Sequence, residues 1–319
     1  MRTNDQLLVM KNLVCVFIIV AFLGNSIILI IFVVTKELQT HVNYFLASLA
    51  LADLMTALFP MPLWLNFKIY NRWPFSMGLL KTWISADLMF CTASVCNLCA
   101  ISIDRCLAIA WPFVHRSWFT PFRTKCALAI VWVYSCFIVL FITDWIKWKK
   151  RGVIISCASF YIPMVIIITA YVTIFISQNK SRMELASQEI STRHRSKQDL
   201  KMAKYTLLII VSFLVCWVGQ FSMGTVYAFT TPKVSSFIKD CIKNLSYLNS
   251  AINPFLYGYV SPKFRLALKA ILRCRRRLHQ PMSHTWTQMS PARGISSNQT
   301  SITKITEKAS IGSQEESTV

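Results

Sequence analysis

The sequence predicts an all-α fold: a seven-transmembrane helix bundle with a short amphipathic eighth helix. Three observations carry this. Of 319 residues, 55% are hydrophobic and 15% charged, where an ordinary soluble domain has about 25% charged residues; mean hydropathy is +0.48. Seven stretches (12–34, 43–66, 79–110, 126–143, 153–177, 204–229 and 236–259) reach or approach the roughly 20 apolar residues that cross a hydrocarbon core as helix. The 34 Lys and Arg residues fall between and after those stretches rather than over one folded surface.

Taken in order, the first stretch follows a short N-terminal segment, 1–11, with no small-residue cleavage site, and is expected to be a retained signal-anchor helix. The second carries Asp53 and the third carries Asp87 and ends on Asp104-Arg105. The fourth and fifth carry no charged residue, and a connection over 178–203, rich in Lys, Arg, Ser and Gln, leads into the sixth. The seventh is interrupted by Asp240, Lys243 and Asn249; polar groups inside a span turn towards a bundle interior and mark functional positions. With the N-terminus outside, 22 of the 34 basic residues lie on the cytoplasmic side, the expected bias for a multi-pass plasma-membrane protein with an extracellular N-terminus and a cytoplasmic C-terminus. The cluster Lys147, Lys149, Lys150 and Arg151 departs from that bias. The bundle is assigned to 12–260. Over 261–274, Phe264, Leu266, Leu268, Ile271 and Leu272 alternate with Lys and Arg, an amphipathic helix lying on membrane lipid. The Ser/Thr-rich remainder, 275–319, reads as a disordered cytoplasmic tail.

Other function classes find little support. A charge of +21 suits nucleic acid in the abstract, but basic loops flanking spans account for it, so no nucleic-acid partner is expected. The eleven cysteines lie mostly within or beside apolar runs, where a thiol is a small hydrophobe. No paired CxxC motifs, metal-ligand spacing or nucleophile elbow points to a zinc site or an enzyme. No repeat of the transporter kind is apparent.

An ordered set of short motifs then stands out. Gly24-Asn25 lies in the first stretch, Leu51-Ala52-Asp53 in the second, and Asp104-Arg105-Cys106 ends the third. Trp132 follows in the fourth, Pro163 and Tyr171 in the fifth, Cys216-Trp217 in the sixth, and Asn253-Pro254-Phe255-Leu256-Tyr257 ends the seventh. In this order the chain resembles a rhodopsin-like G-protein-coupled receptor over about residues 12–274. The stretch Asp87-Leu88-Met89-Phe90-Cys91-Thr92-Ala93-Ser94 most resembles the biogenic-amine group.

The resemblance implies roles residue by residue. Asp87 would pair with a ligand ammonium, a contact stronger in an apolar cleft than in water, with Tyr247 orienting it. Cys91, Ser156, Ser159, Trp217 and Phe221 would line the pocket, the two serines meeting ligand hydroxyls or, as serines on membrane helices often do, bonding a carbonyl. Asp53, Ser94, Asn249, Ser250 and Asn253 would surround an allosteric sodium ion, the alternative being a polar packing cluster. Asp104, Arg105 and Asp199 would hold the sixth helix closed until a heterotrimeric G protein engages. Val95, Pro163 and Phe213 would relay ligand binding, together with Tyr171 and Asn253, Pro254 and Tyr257.

Departures from the group are specific. Leu80 stands where the family's extracellular disulfide begins, and Trp145–Arg151 contains no cysteine. Gly219 replaces a kink proline, Gln220 an aromatic residue, and Asn244 a tryptophan; Tyr247 occupies the position of a retinal-linking lysine. Lys243, one turn before Tyr247, has two readings: pairing with Asp87, or snorkelling to the surface, the commoner behaviour near helix ends and the one expected here. These departures keep a second function in view, a receptor for an anionic or lipid ligand or one that signals without ligand. In the tail, Cys274 beside basic residues suits palmitoylation. Glu316-Ser317-Thr318-Val319 resembles a PDZ-domain ligand, with Ser317 and the Val319 carboxylate as its determinants, and the tail serines and threonines suit arrestin binding after phosphorylation.

Overall fold

The structure, a computed structural model, describes residues 4–142, 151–184, 190–260 and 262–272. Cys274, Ser317 and Val319 lie outside the described residues, as do the side chains of Asp199 and Tyr257. The chain divides into two units, Met1–Arg275 and Arg276–Val319, and the helices belong to the first.

The described residues are helical throughout apart from short connections. Helix α1 spans Asn4–Val34, and a 3-10 turn over Lys36–Leu38 leads to α2, His41–Leu58. Pro60 cannot donate a backbone N–H, so the second span breaks at Phe59 and resumes as α3, Pro60–Tyr70. Asn71, with φ of 51°, closes α3 in the left-handed region that asparagine tolerates. Ser76 caps α4, Met77–Ala110, accepting from the Leu79 N–H at 3.3 Å. A short α5, Pro112–Trp118, carries the chain to α6, Pro121–Phe137, whose cap Thr120 accepts from Arg123 at 3.3 Å. The fourth span finishes in a π-helical turn over Ile138–Ile142. The fifth is compound: α7, Arg151–Ser156, a π-helical turn over Cys157–Tyr161, then α8, Ile162–Glu184. Helix α9 runs unbroken over Ile190–Phe229, α10 spans Ser236–Val260, and α11 spans Pro262–Leu272.

Six of these segments are long and apolar enough to cross a membrane: Leu8–Val34, His41–Tyr70, Met77–Ala110, Pro121–Leu140, Gly152–Gln178 and Ile210–Phe229. Their large apolar side chains point outward, as with Ile30, Ile130, Val133, Val165 and Phe175, while Asn25, Asp53, Asn97 and Ser102 are buried. This inversion of the soluble pattern suits lipid as the solvent. Helix α10 follows it despite its polar content, because Asp240, Lys243, Asn244, Asn249, Ser250 and Asn253 are all buried.

The largest apolar cluster of the interior packs Val95 and Leu98 of α4 with Met164, Phe213, Trp217 and Phe221. Polar ties cross between helices: Trp132 Nε1 donates to Ser48 Oγ at 3.1 Å, and the Tyr134 hydroxyl to the Ala158 carbonyl at 3.0 Å. At Gly24 a Cβ would stand 2.5 Å from Pro254 Cγ, so α1 and α10 approach closely only because residue 24 is glycine.

Candidate functional site

The centre of the site is a largely buried ion pair between α4 and α10. The Lys243 ammonium donates to Asp87 Oδ2, with the two side chains 8% and 17% exposed. Helical spacing sets this up: Asp240, Lys243 and Tyr247 follow one another at three and four residues and share a face of α10. Lys243 Nζ also lies 4.5 Å from the centre of the Tyr247 ring, adding a cation–π contact. Tyr247 is fully buried and directs its hydroxyl to the Pro60 carbonyl at 3.4 Å. The expectation that Lys243 snorkels to the surface is therefore corrected. The backbone places it about two turns inside the start of α10 at Ser236, and pairing with a carboxylate within reach outweighs hydration at that helix end. Among the described residues Asp87 Oδ1 is buried without a hydrogen-bond partner.

Below the pair, Cys91 stands one turn along α4 and packs in the same cluster as Trp217 and Phe221. Phe160 and Phe221 stack at 4.7 Å, and Trp217 lies 5.9 Å from both Phe213 and Phe221. Ser156 donates to the Phe221 carbonyl at 3.3 Å, bridging α7 to α9, while Ser159 Oγ is buried without a partner among the described residues. Ser159 lies inside the π-helical turn and Ser156 just before it, something the i, i+3 spacing does not reveal. Trp217 Nε1 and Gln220 Oε1 are likewise buried and unpartnered among the described residues.

Deeper still, Asp53 is buried and its two oxygens accept from Ser250 Oγ at 2.7 Å and Asn253 Nδ2 at 2.6 Å. Among the described residues Asn249 Oδ1 and Nδ2 and Asn253 Oδ1 are buried without partners, and Ser94 Oγ donates to the Phe90 carbonyl at 2.9 Å. The groups here that could hold a small hard cation are the Asp53 carboxylate and the side-chain oxygens of Ser94, Asn249, Ser250 and Asn253, oxygen being the donor such ions take.

At the opposite end, Asp104 is wholly buried and receives two partners. Arg105 Nε donates to Oδ2 at 2.9 Å, and His115 Nε2 lies 3.0 Å from Oδ1. Val95, Phe213 and Pro163 are buried, and Tyr171 packs between the main cluster and one formed by Cys106, Ala170 and Ile174. Pro254 lies within α10.

Two features escape the sequence reading. Lys68 pairs with Asp240 at 2.6 Å, both buried, and its ammonium lies 4.2 Å over the Trp64 ring. Trp64 in turn stacks on Trp83 at 6.0 Å, Trp83 on Trp73 at 5.5 Å, and Trp64 Nε1 donates to Asn244 Oδ1 at 3.1 Å. Asp240 was visible as an interruption of the seventh stretch, but nothing in the sequence names its partner. His115, the second feature, sits on α5, beyond the helix break at Trp111, so spacing along α4 does not reveal its contact with Asp104.

Comparison with known proteins places these residues in context. Residues 24–152 and 142–257 match the family model described as 7 transmembrane receptor (rhodopsin family). The chain is 27% identical to the histamine H2 receptor of Canis lupus familiaris, over 86% of this chain and 81% of that receptor. It is 29% identical to the human 5-hydroxytryptamine receptor 4, over 81% of this chain and 77% of that one. It is also 27% identical to the probable G-protein coupled receptor No18 of Amphibalanus amphitrite, over 83% and 90%.

Proposed function

The chain belongs to the rhodopsin family of seven-transmembrane receptors, and on that premise we propose that it binds a small ligand through an ammonium group held by Asp87 and signals through a heterotrimeric G protein. It is a receptor and not an enzyme. One observation carries the ligand reading: Asp87 already accepts an ammonium, that of Lys243, at a buried position in the bundle. The unpartnered Oδ1 keeps half of the carboxylate available to a second donor. The aromatic cluster of Phe160, Trp217 and Phe221 would receive the apolar body of the ligand. The similarity to proteins named as histamine and 5-hydroxytryptamine receptors agrees with an amine-bearing ligand.

Signalling would pass from the cluster around Trp217 and Phe213 to the Asp104–Arg105–His115 network, whose opening frees Arg105 for a G protein. The chain would sit in the plasma membrane with its N-terminus outside, organised as a bundle over 12–260, a surface helix over 261–274 and a cytoplasmic tail. Asp53, Ser94, Asn249, Ser250 and Asn253 would hold a sodium ion, which supplies the counter-charge that a carboxylate in mid-membrane lacks. Palmitoylation at Cys274 and capture of Ser317 and Val319 by a PDZ domain, with arrestin on the phosphorylated tail, complete the proposal.

The test is G-protein activation in cells given a panel of aromatic amines and amino acids, with Asp87→Asn as control at matched surface expression. Loss of the response in Asp87→Asn supports the reading; an undiminished response refutes it. The Lys243–Asp87 pair also favours a second reading, in which the internal ammonium sets output without ligand. A several-fold change in basal output in Lys243→Met is its signature.

A further inference from the structure

We propose that the ligand is a zwitterion of the α-amino acid kind, its ammonium taken by Asp87 and its carboxylate by Lys243. This rests on the Asp87 reading above and goes further by assigning the second charge. A simple amine entering the site has to compete with an ammonium already in place. If it succeeds, two buried cations share one carboxylate, and the displaced lysine is left in an apolar bundle without its counter-ion. Lys243 is only 6% exposed, so water does little to relieve that charge. An amino acid brings both signs and leaves the net charge of the site unchanged.

The free valences match. Among the described residues Asp87 Oδ1 is buried without a donor in hydrogen-bonding geometry, and an ammonium has three N–H donors, of which Lys243 gives one to Asp87 Oδ2. An α-amino acid bears its ammonium and carboxylate on one carbon. Its dipole therefore lies antiparallel beside the Asp87–Lys243 pair, closing an alternating ring of four charges without breaking the existing contact. The pair is not sealed off, since the Asp87 side chain keeps 17% of its surface exposed. Cys91, one turn from Asp87, shares a cluster with Trp217 and Phe221, so an aromatic side chain is the favoured third group.

The experiment compares three matched pairs on intact cells: phenylalanine with 2-phenylethylamine, tyrosine with tyramine, and histidine with histamine. Each pair differs only by the carboxylate. G-protein activation is read for the wild type, Lys243→Met, Lys243→Gln and Asp87→Asn, each normalised to surface labelling. At the wild type the amino acid of at least one pair is expected to act at a concentration tenfold or more below its amine. In Lys243→Met and Lys243→Gln that order is expected to reverse, as the anion loses its partner and the amine gains an unoccupied Asp87. An amine more potent than its amino acid at the wild type, with the order unchanged in both Lys243 variants, overturns the zwitterion while leaving the Asp87 reading intact. An amine response that also survives in Asp87→Asn overturns both. Silence of all six compounds at the wild type overturns the zwitterion as stated, and the wild-type comparison stands even if a variant fails to reach the surface.

Discussion

The Asn25 side chain donates its Nδ2 to the main-chain carbonyl of Ser250 at 3.0 Å. That carbonyl is the one Pro254 leaves without a donor, because proline, four residues on, has no N–H to complete the helical bond. The first span thus repairs the break that proline makes in the seventh, and Gly24, next to Asn25, permits the approach. Asn25→Leu leaves a buried carbonyl without its partner and is expected to destabilise the bundle by about 1–2 kcal/mol. Gly24→Val forces a displacement of Pro254 and is expected to cost about 1–3 kcal/mol. Thermal unfolding of the purified receptor in detergent measures both.

Asp104 is held by Arg105 on one oxygen and His115 on the other. Removing the histidine leaves half of a buried carboxylate unpaired and weakens its hold on Arg105. His115→Ala is expected to raise ligand-independent G-protein activation several-fold, and Asp104→Asn more strongly. Output no higher than wild type at equal surface expression contradicts a restraining role for this network.

Lys68 and Asp240 form a buried pair linking α3 to α10. Asp240→Asn leaves the lysine charge buried and is expected to cost about 3–5 kcal/mol. The double variant Lys68→Met with Asp240→Leu removes both charges and is expected to recover most of that loss. A double-mutant cycle on thermal stability gives the coupling; additive effects contradict it.

Around Asp53 the oxygen-rich cluster predicts sodium-dependent stability. Replacing choline chloride with sodium chloride at constant ionic strength is expected to raise the unfolding temperature of the wild type. Asp53→Asn is expected to abolish the increment. Equal increments in both proteins refute the cation site.

How much of this is legible from residues alone depends on the kind of feature. The spans are legible because length and hydropathy fix them, and the inward-facing polar residues of α10 are legible because lipid excludes them. Helix breaks are less so: Pro60 announces the break at Phe59, whereas the π-helical turn at Cys157–Tyr161 has no marker residue, and it takes in Ser159 but not Ser156. Partnerships are hardest. Lys243 and Asp87 stand 156 residues apart, and Lys68 and Asp240 stand 172 apart. Their meeting depends on how each helix is rotated about its axis. Hydropathy leaves that rotation open where a helix is apolar on most sides, so a lysine near a helix end reads as a snorkelling one.

The central claim is that Asp87 is the residue on which a ligand ammonium docks. Its most direct test is concentration–response measurement of G-protein activation in Asp87→Asn and wild-type cells at matched surface expression, using whichever amine or amino acid activates the wild type. The account predicts a loss of potency of about a hundredfold or more, as expected when a buried charge-assisted contact worth about 3 kcal/mol is removed. A concentration–response curve unchanged by the substitution contradicts it.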